Sequence, residues 1–350
     1  MVNGAKALIA MSGGVDSSAA AYLAQQEGFE CIGGTMLLCQ SEEDISDAEA
    51  VAQRLGIPFY TFDAKLPFRS MVQEAFVQSY EAGETPNPCI LCNRKLKFGY
   101  LLDRALELGC SHIVTGHYAR VRRDEATGRW LLLKAADNAK DQSYFLSTLT
   151  QDQLSHIFFP LGELTKEQAR SLAVQQQFIN ARKRDSQDIC FIPDGDYSAF
   201  LERFTGKQYP KGDFLDLCGN IVGQHRGAVC YTLGQRKGLG LAMGQPVYVC
   251  DKDMRANTVT VGPNESLFHK TLLASDWSWF PFEKLAQPLR CMAKARSRMI
   301  EQPATAYPEE DGTVRVVFDE PQRALTPGQT VVLYDGEKVI GGGCIHAVLD

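Results

Sequence analysis

The 350-residue chain has no apolar run long enough to cross a bilayer, which takes about 20 residues, although 45% of its residues are hydrophobic. No apolar leader segment precedes the first strand-like stretch, so the sequence predicts a cytoplasmic protein. An excess of basic residues is also missing. Lys and Arg total 36 against 42 Asp and Glu, a net charge of −6; this argues against indiscriminate nucleic-acid binding but leaves room for a site-specific binder. The 11 cysteines lack the even count and regular spacing of a disulfide framework. A few are therefore expected to do chemistry and most of the rest to be small buried hydrophobes. Internal repeats and low-complexity tracts are absent. So is Gly-x-x-x-x-Gly-Lys-Ser/Thr, which excludes a Walker-type phosphate loop.

What stands near the start instead is Ser12-Gly13-Gly14-Val15-Asp16-Ser17-Ser18, between the apolar run Ala7–Met11 and Ala19-Ala20-Ala21-Tyr22-Leu23. The order reads strand, glycine turn, helix. Glycine lets the backbone approach a phosphate, and a helix start offers unpaired N–H donors and a positive dipole end. A Gly-Gly turn alone is commonplace; the seven residues in this context predict nucleotide binding. The loop resembles the pyrophosphate loop of ATP pyrophosphatases, which cut ATP between the α and β phosphates and adenylate a substrate. The resemblance implies that Asp16 holds Mg²⁺ while Ser12, Ser17 and the loop N–H groups hold phosphate.

Up to about residue 200, short apolar strands alternate with helical patterns. Strands are predicted at 6–11, 30–35, 58–62 and 112–115, and helices at 17–26, 44–55, 68–82, 96–108 and 166–177. Such βα alternation predicts an α/β fold with a mostly parallel sheet, helices on both faces, and ligands beyond the C-terminal strand ends. Beyond residue 200, Gly and Pro become frequent and alternating runs replace helical ones, with Asp335-Gly336 marking a hairpin. Three domains are expected: residues 1–203 as the ATP-binding catalytic domain, 204–272 as a central β-rich domain, and 273–350 as a β-barrel-like domain.

The second strong feature is Thr85-Pro86-Asn87-Pro88-Cys89-Ile90-Leu91-Cys92-Asn93. Two prolines stiffen the approach. Cys92 is expected at or near the start of the 96–108 helix, where the dipole and nearby Arg94, Lys95 and Lys97 would favour thiolate. Cys190, within Ile189-Cys190-Phe191-Ile192, read alone is a buried hydrophobe. Basic clusters at 94–97, 120–123, 182–184, 236–237 and 294–298 are each a solvated face when taken singly, and together a candidate phosphate track.

These segments, with Thr115-Gly116-His117-Tyr118, Lys140–Leu146, Leu233–Gly240, Thr326-Pro327-Gly328-Gln329 and Gly341-Gly342-Gly343, stand in the order seen in the tRNA-specific 2-thiouridylases. The chain resembles that family over essentially its whole length. The resemblance implies ATP-dependent replacement of the C2 oxygen of wobble uridine, position 34, by sulfur in tRNAs for Lys, Glu and Gln. It implies an O-adenylated uridine, with AMP and pyrophosphate released. Cys92 matches the family's nucleophile and Cys190 its persulfide carrier. Either the terminal sulfur on Cys190 attacks C2 directly, or Cys92 attacks the persulfide and releases hydrosulfide near C2. Both versions imply a Cys92–Cys190 disulfide that must be reduced before the next turnover. Ala10, Met11, Ser12, Gly13, Gly14, Val15, Asp16, Ser17, Met36 and Gly116 match ATP-contacting positions. Asn87, Pro88 and Cys89 match the loop at the target base. His117, Lys140, Asp141, Gln142, Arg296, Ser297 and Gln329 match tRNA-contacting positions. Without the family, His117 reads as a structural histidine and 140–142 as a surface loop. The sulfur donor would be a cysteine desulfurase or a sulfur-relay protein.

Two departures from the family pattern stand out. Cys89 replaces a frequent Asp, and Ser297 replaces an aromatic that often follows the arginine. Cys89, Cys92 and Cys190 together open an alternative in which an iron–sulfur cluster delivers sulfide. Two further readings remain: a pyrophosphatase-type ligase acting on a small metabolite, and a non-catalytic tRNA-binding or sulfur-carrier protein.

Overall fold

In the computed structural model, which describes residues 4–39, 42–183 and 189–349, the N-terminal part holds seven strands. They are β1 (Lys6–Ala10), β2 (Glu30–Leu37), β3 (Phe59–Asp63), β4 (His112–Val114), the hairpin β5 (Arg120–Arg123) and β6 (Trp130–Leu133), and β7 (Ile157–Phe158). Arg184 and Ser186-Gln187-Asp188 lie outside the described residues. Five of the strands form a parallel sheet in the order β3-β2-β1-β4-β7. The central strand β1 is buried on both faces. Leu8 joins one core, while Ala7 and Ile9 join the other. Helix α1 (Val15–Gln26) lies close on the sheet because Ala19, Ala20, Ala21 and Ala24 are fully buried and add little bulk. Helix α2 (Glu42–Leu55) buries Ala48, Val51 and Ala52, the spacing read from sequence. Among the described residues no helix is long and apolar enough to cross a membrane.

The expected 96–108 helix is corrected in one respect that matters. It begins at Pro88, runs as an α-turn to Leu91, widens into π-type turns over Cys92–Tyr100, and ends as α-helix at Leu101–Glu107. Asn87 caps it by accepting the Cys89 N–H at 3.2 Å, and Pro88 fills the first helical position. Asn-Pro is thus a helix start rather than only a stiff approach. Cys92 therefore sits a full turn inside the helix, where the first unpaired N–H groups are behind it.

The central sheet, in the order β10-β11-β8-β9, comprises β8 (Gly212–Leu215), β9 (Ile221–His225), β10 (Tyr248–Asp253) and β11 (Thr258–Gly262). It packs through Phe214, Val249 and Val259 with Phe200 and Leu201 of the helix Tyr197–Thr205. The last six strands are β12 (Phe268–Trp279), β13 (Leu289–Lys294), β14 (Gln302–Pro308), β15 (Val314–Arg323), β16 (Thr330–Asp335) and β17 (Lys338–Leu349). They run β12-β15-β14-β13-β16-β17, and β17 pairs back to β12, closing a barrel that leaves no open sheet edge within the ring. The β16–β17 hairpin turns through Gly336 (φ 57°) beside Asp335, as its sequence signal predicts. The boundaries drawn at 203/204 and 272/273 fall inside the Tyr197–Thr205 helix and β12. They follow a shift in composition, whereas the chain divides where side chains join a different core. The β5–β6 hairpin departs further: β6 adds to the barrel through Leu133 and Lys338.

The barrel docks where side chains are missing. A Cβ on Gly342 would lie 2.5 Å from Ser147 Oγ, and one on Gly343 would lie 2.5 Å from the Trp277 ring. The three-glycine motif therefore lets β17 pass between Ser147 of the N-terminal part and the stacked Trp277–Trp279 pair. Gly342→Ala is expected to lower the stability of the folded chain by about 1–3 kcal/mol, the usual cost of overpacking, measured as an earlier transition in calorimetry. An unchanged transition would show that this contact is not tight.

Candidate active site

The C-terminal ends of β1, β2 and β4 open into a cleft of about 740 Å³, a size that suits a small-molecule substrate. Its floor is the loop after β1. Gly13 takes φ 73°, and a Cβ there would lie 2.2 Å from the Asp44 carbonyl oxygen. Ser12 N–H donates to Ser17 Oγ at 3.2 Å, and Ser17 Oγ donates to Gly14 O at 3.0 Å. The buried Asn180 amide donates to Gly13 O at 3.0 Å and to Ser18 Oγ at 2.9 Å. The two serines therefore fix the curl of the loop by bonding within it. Gly116 is needed for a similar reason: a Cβ would sit 2.6 Å from the Asp16 carbonyl carbon and 2.8 Å from Ser17 N. Ala10, Met11, Ser12, Gly14, Val15, Asp16, Ser17, Met36 and Gly116 all line the cleft, and Gly13 belongs to the same loop without lining it.

Asp16 has close partners that the sequence did not announce. Lys166 Nζ donates to both carboxylate oxygens, at 2.7 and 2.8 Å, and Tyr118 OH donates to Oδ1 at 2.9 Å. Lys166 begins a helix behind a Thr165–Gln168 capping box and is buried. Its spacing carried no signal because only the packing of that helix on α1 turns it inward. Among the described residues no three His, Cys, Asp or Glu side chains converge to hold a metal ion. A single carboxylate suits Mg²⁺ that arrives on a nucleotide, since that ion takes one or two carboxylates alongside phosphate oxygens.

His117 is buried. Its Nδ1 lies 2.6 Å from Thr115 Oγ1 and its ring packs on Phe98 and Phe159. Burial, with Lys97 nearby, pushes its pKa well below the usual imidazole value, so it faces the cleft as a neutral ring. Gln142 reaches the same loop: its N–H donates to Tyr118 O at 2.8 Å and its Oε1 accepts from Tyr118 N at 2.9 Å. Asp141 is turned into its own loop, accepting from Ala135 N and from Ser143 N and Oγ. Lys140 lines the cleft.

The other predicted tRNA contacts lie farther out. Arg296 is largely buried, donating to Thr326 Oγ1 and to Leu233 O, so it joins two of the sequence motifs. Ser297 is half-buried at a turn beyond β13. Gln329 Nε2 donates to Thr85 O at 2.6 Å, and Thr85 N donates to Pro327 O at 2.9 Å. Gly328 permits that contact, for a Cβ would lie 2.9 Å from Thr85 N. Arg94 is held at 2.5 Å by Asp276 of β12.

None of the 11 cysteines is in a disulfide. Cys89 is exposed, Cys92 half-buried and Cys190 exposed at the cleft. The expected thiolate character of Cys92 is reversed. Burial pushes its pKa up to about 11, and Lys97 offsets this only in part. Burial also raises Cys89. Cys190 is raised too, chiefly because its thiol bonds to Cys39. Cys39, which the sequence did not single out, is exposed and lines the cleft. In the unliganded protein, alkylation of Cys92 by iodoacetamide is expected to be slow at pH 7 and to quicken about tenfold per pH unit up to pH 10, because only the thiolate reacts. Peptide mass mapping checks this; a rate already at its plateau at pH 7 would contradict the raised pKa.

Three family models cover the chain: the tRNA methyl transferase HUP domain at residues 5–194, the tRNA methyl transferase PRC-barrel domain at 198–263, and the aminomethyltransferase β-barrel domain at 269–345. The chain is 43% identical to the tRNA-specific 2-thiouridylase MnmA of Clostridioides difficile, over 98% of this chain and 99% of that one. It is 47% identical to the protein of the same name from Acetivibrio thermocellus, over 97% and 99%. Among solved structures, a 4-thiouridine synthetase–RNA complex with bound ATP matches at a TM-score of 0.37 and 13% identity, over 58% of this chain and 50% of that one. Matched along nearly its full length at this identity, the chain belongs to the tRNA-specific 2-thiouridylase MnmA family.

Proposed function

We propose that this protein replaces the C2 oxygen of the wobble uridine, position 34, in tRNAs for Lys, Glu and Gln by sulfur, consuming ATP. The observation that carries this reading is a single cleft lined both by the glycine loop at the start of α1 and by the thiol of Cys190. The loop and helix start supply N–H donors for the triphosphate, while Lys166 and Tyr118 hold the Asp16 carboxylate in place. Uridine O2 attacks the α-phosphorus and pyrophosphate leaves. A sulfur carried as the terminal atom of a Cys190 persulfide then attacks C2, and AMP leaves with the former O2. Cys92, matched to the family's nucleophile, releases that sulfur by attacking Cys190 Sγ, leaving a Cys92–Cys190 disulfide. The exposure of Cys190 suits loading by a sulfur donor, whether a cysteine desulfurase or a relay protein. Mg²⁺, arriving with ATP beside Asp16, would neutralise phosphate charge. Cys89, Cys92 and Cys190 do not converge as three metal ligands, and no step is assigned to an iron–sulfur cluster.

Incubation with these tRNAs, Mg-ATP and a sulfur source should give 2-thiouridine, read by nucleoside mass spectrometry, with AMP and pyrophosphate in equal amounts, assayed alongside. Pyrophosphate release that follows a small metabolite rather than tRNA would favour a ligase instead. Cys92→Ser and Cys190→Ser are each expected to abolish thiolation while leaving tRNA affinity within about twofold. Thiolation at the unsubstituted rate by either variant would remove that cysteine's role. Asp16→Asn should abolish tRNA-dependent pyrophosphate release, because Lys166 would lose its partner and the loop its fixed charge. Retained release would refute the role given to Asp16.

A further inference from the structure

The thiol in direct contact with Cys190 is Cys39, just beyond the end of β2 at the mouth of the cleft. Cys39 Sγ donates to the Cys190 carbonyl oxygen at 3.4 Å, and the Cys190 thiol bonds to the Cys39 sulfur. Both residues are exposed, whereas Cys92 is half-buried within its helix. The rest of this argument depends on the function proposed above, in which each turnover leaves a Cys92–Cys190 disulfide.

An external reductant must reach the Cys190 sulfur of such a disulfide by diffusion, whereas a thiol already held against Cys190 attacks it within the molecule. We propose that Cys39 is the exchange thiol that resolves it. The Cys39 thiolate attacks Cys190 Sγ, the Cys92–Cys190 bond breaks, and Cys92 leaves as thiolate. The product, Cys39–Cys190, lies between two exposed residues. An external dithiol then supplies two electrons and returns Cys39 and Cys190 to thiols, ready for the next persulfide. No oxidant is needed, since the exchange moves a disulfide without changing the oxidation state of the pair.

In the reduced protein the bond from the Cys190 thiol lowers the Cys39 pKa below its usual value, whereas Cys89, Cys92 and Cys190 are raised. That bond is lost once Cys190 enters a disulfide, so the direction of attack is set by contact: Cys190 is the thiol that Cys39 touches. This role would not emerge from the cysteine loop at 85–93, because Cys39 stands some fifty residues earlier in the chain.

The test uses the full-length protein loaded with persulfide on Cys190, tRNA and Mg-ATP, without reductant. The reaction is quenched in acid after one turnover, and non-reducing peptide mapping identifies the linkages. The expected result is a Cys39–Cys190 linkage in the unsubstituted protein and a trapped Cys92–Cys190 linkage in Cys39→Ser. With thioredoxin as the dithiol, multiple-turnover kcat of Cys39→Ser should fall at least tenfold. A Cys92–Cys190 linkage alone in the unsubstituted protein, with unchanged kcat in Cys39→Ser, would overturn the exchange role and leave the thiolation reading standing. If the unsubstituted protein made no thiouridine at all in that first turnover, the function proposed above would fall and this role with it.

Discussion

The position of the cysteine helix is set from outside the domain that carries it. Thr85 is gripped from the barrel side by Gln329 and Pro327, and Arg94 is gripped by Asp276. Between these two anchors lie Asn87, Pro88, Cys89 and Cys92. The Asn87 cap then fixes where the helix starts. A second seam, at Gly342 and Ser147, holds the barrel against the N-terminal part. The barrel is thus a brace for the cysteines. It also accounts for motifs that look remote from the cleft: Thr326–Gln329 and Gly341–Gly343 are contact surfaces, and their small residues are what let the backbones meet.

Two lysines at the cleft are paired with carboxylates before any substrate arrives. Lys166 faces Asp16, and Lys183 bridges Asp44 and Asp47 at 2.9 and 2.6 Å. Breaking one member of such a partly buried pair leaves the other uncompensated, which is costly. A triphosphate entering the cleft therefore meets cations already oriented on fixed carboxylates. His117 adds no charge, since burial keeps it neutral, and it contributes shape and a hydrogen-bonded ring. The close approach of Gly116 to the Asp16–Ser17 backbone joins these parts into one wall.

The thiols follow the opposite logic. Protein packed around Cys92 keeps it protonated, so it is not a standing nucleophile in the unliganded protein. Only Cys39, hydrogen-bonded by its neighbour, is shifted the other way.

Much of this was legible in the residues themselves. The strand–loop–helix order at 6–26, four of the five parallel strands, the all-β C-terminal part and the family were determined by local patterns: apolar period, turn residues, and motifs whose order survives in a linear chain. The start of the cysteine helix was missed at 96, although its signal is local: Asn87-Pro88 is a cap and a first turn. Tertiary structure alone decided the rest. That Lys166 faces Asp16, that Cys39 touches Cys190, that Gln329 holds Thr85, and that burial outweighs Lys97 at Cys92 all depend on groups far apart in sequence. The β5–β6 hairpin belongs with the barrel for the same reason. Solvent exclusion and pair geometry arise only when separate elements pack, and no local spacing encodes which side chains they bring together.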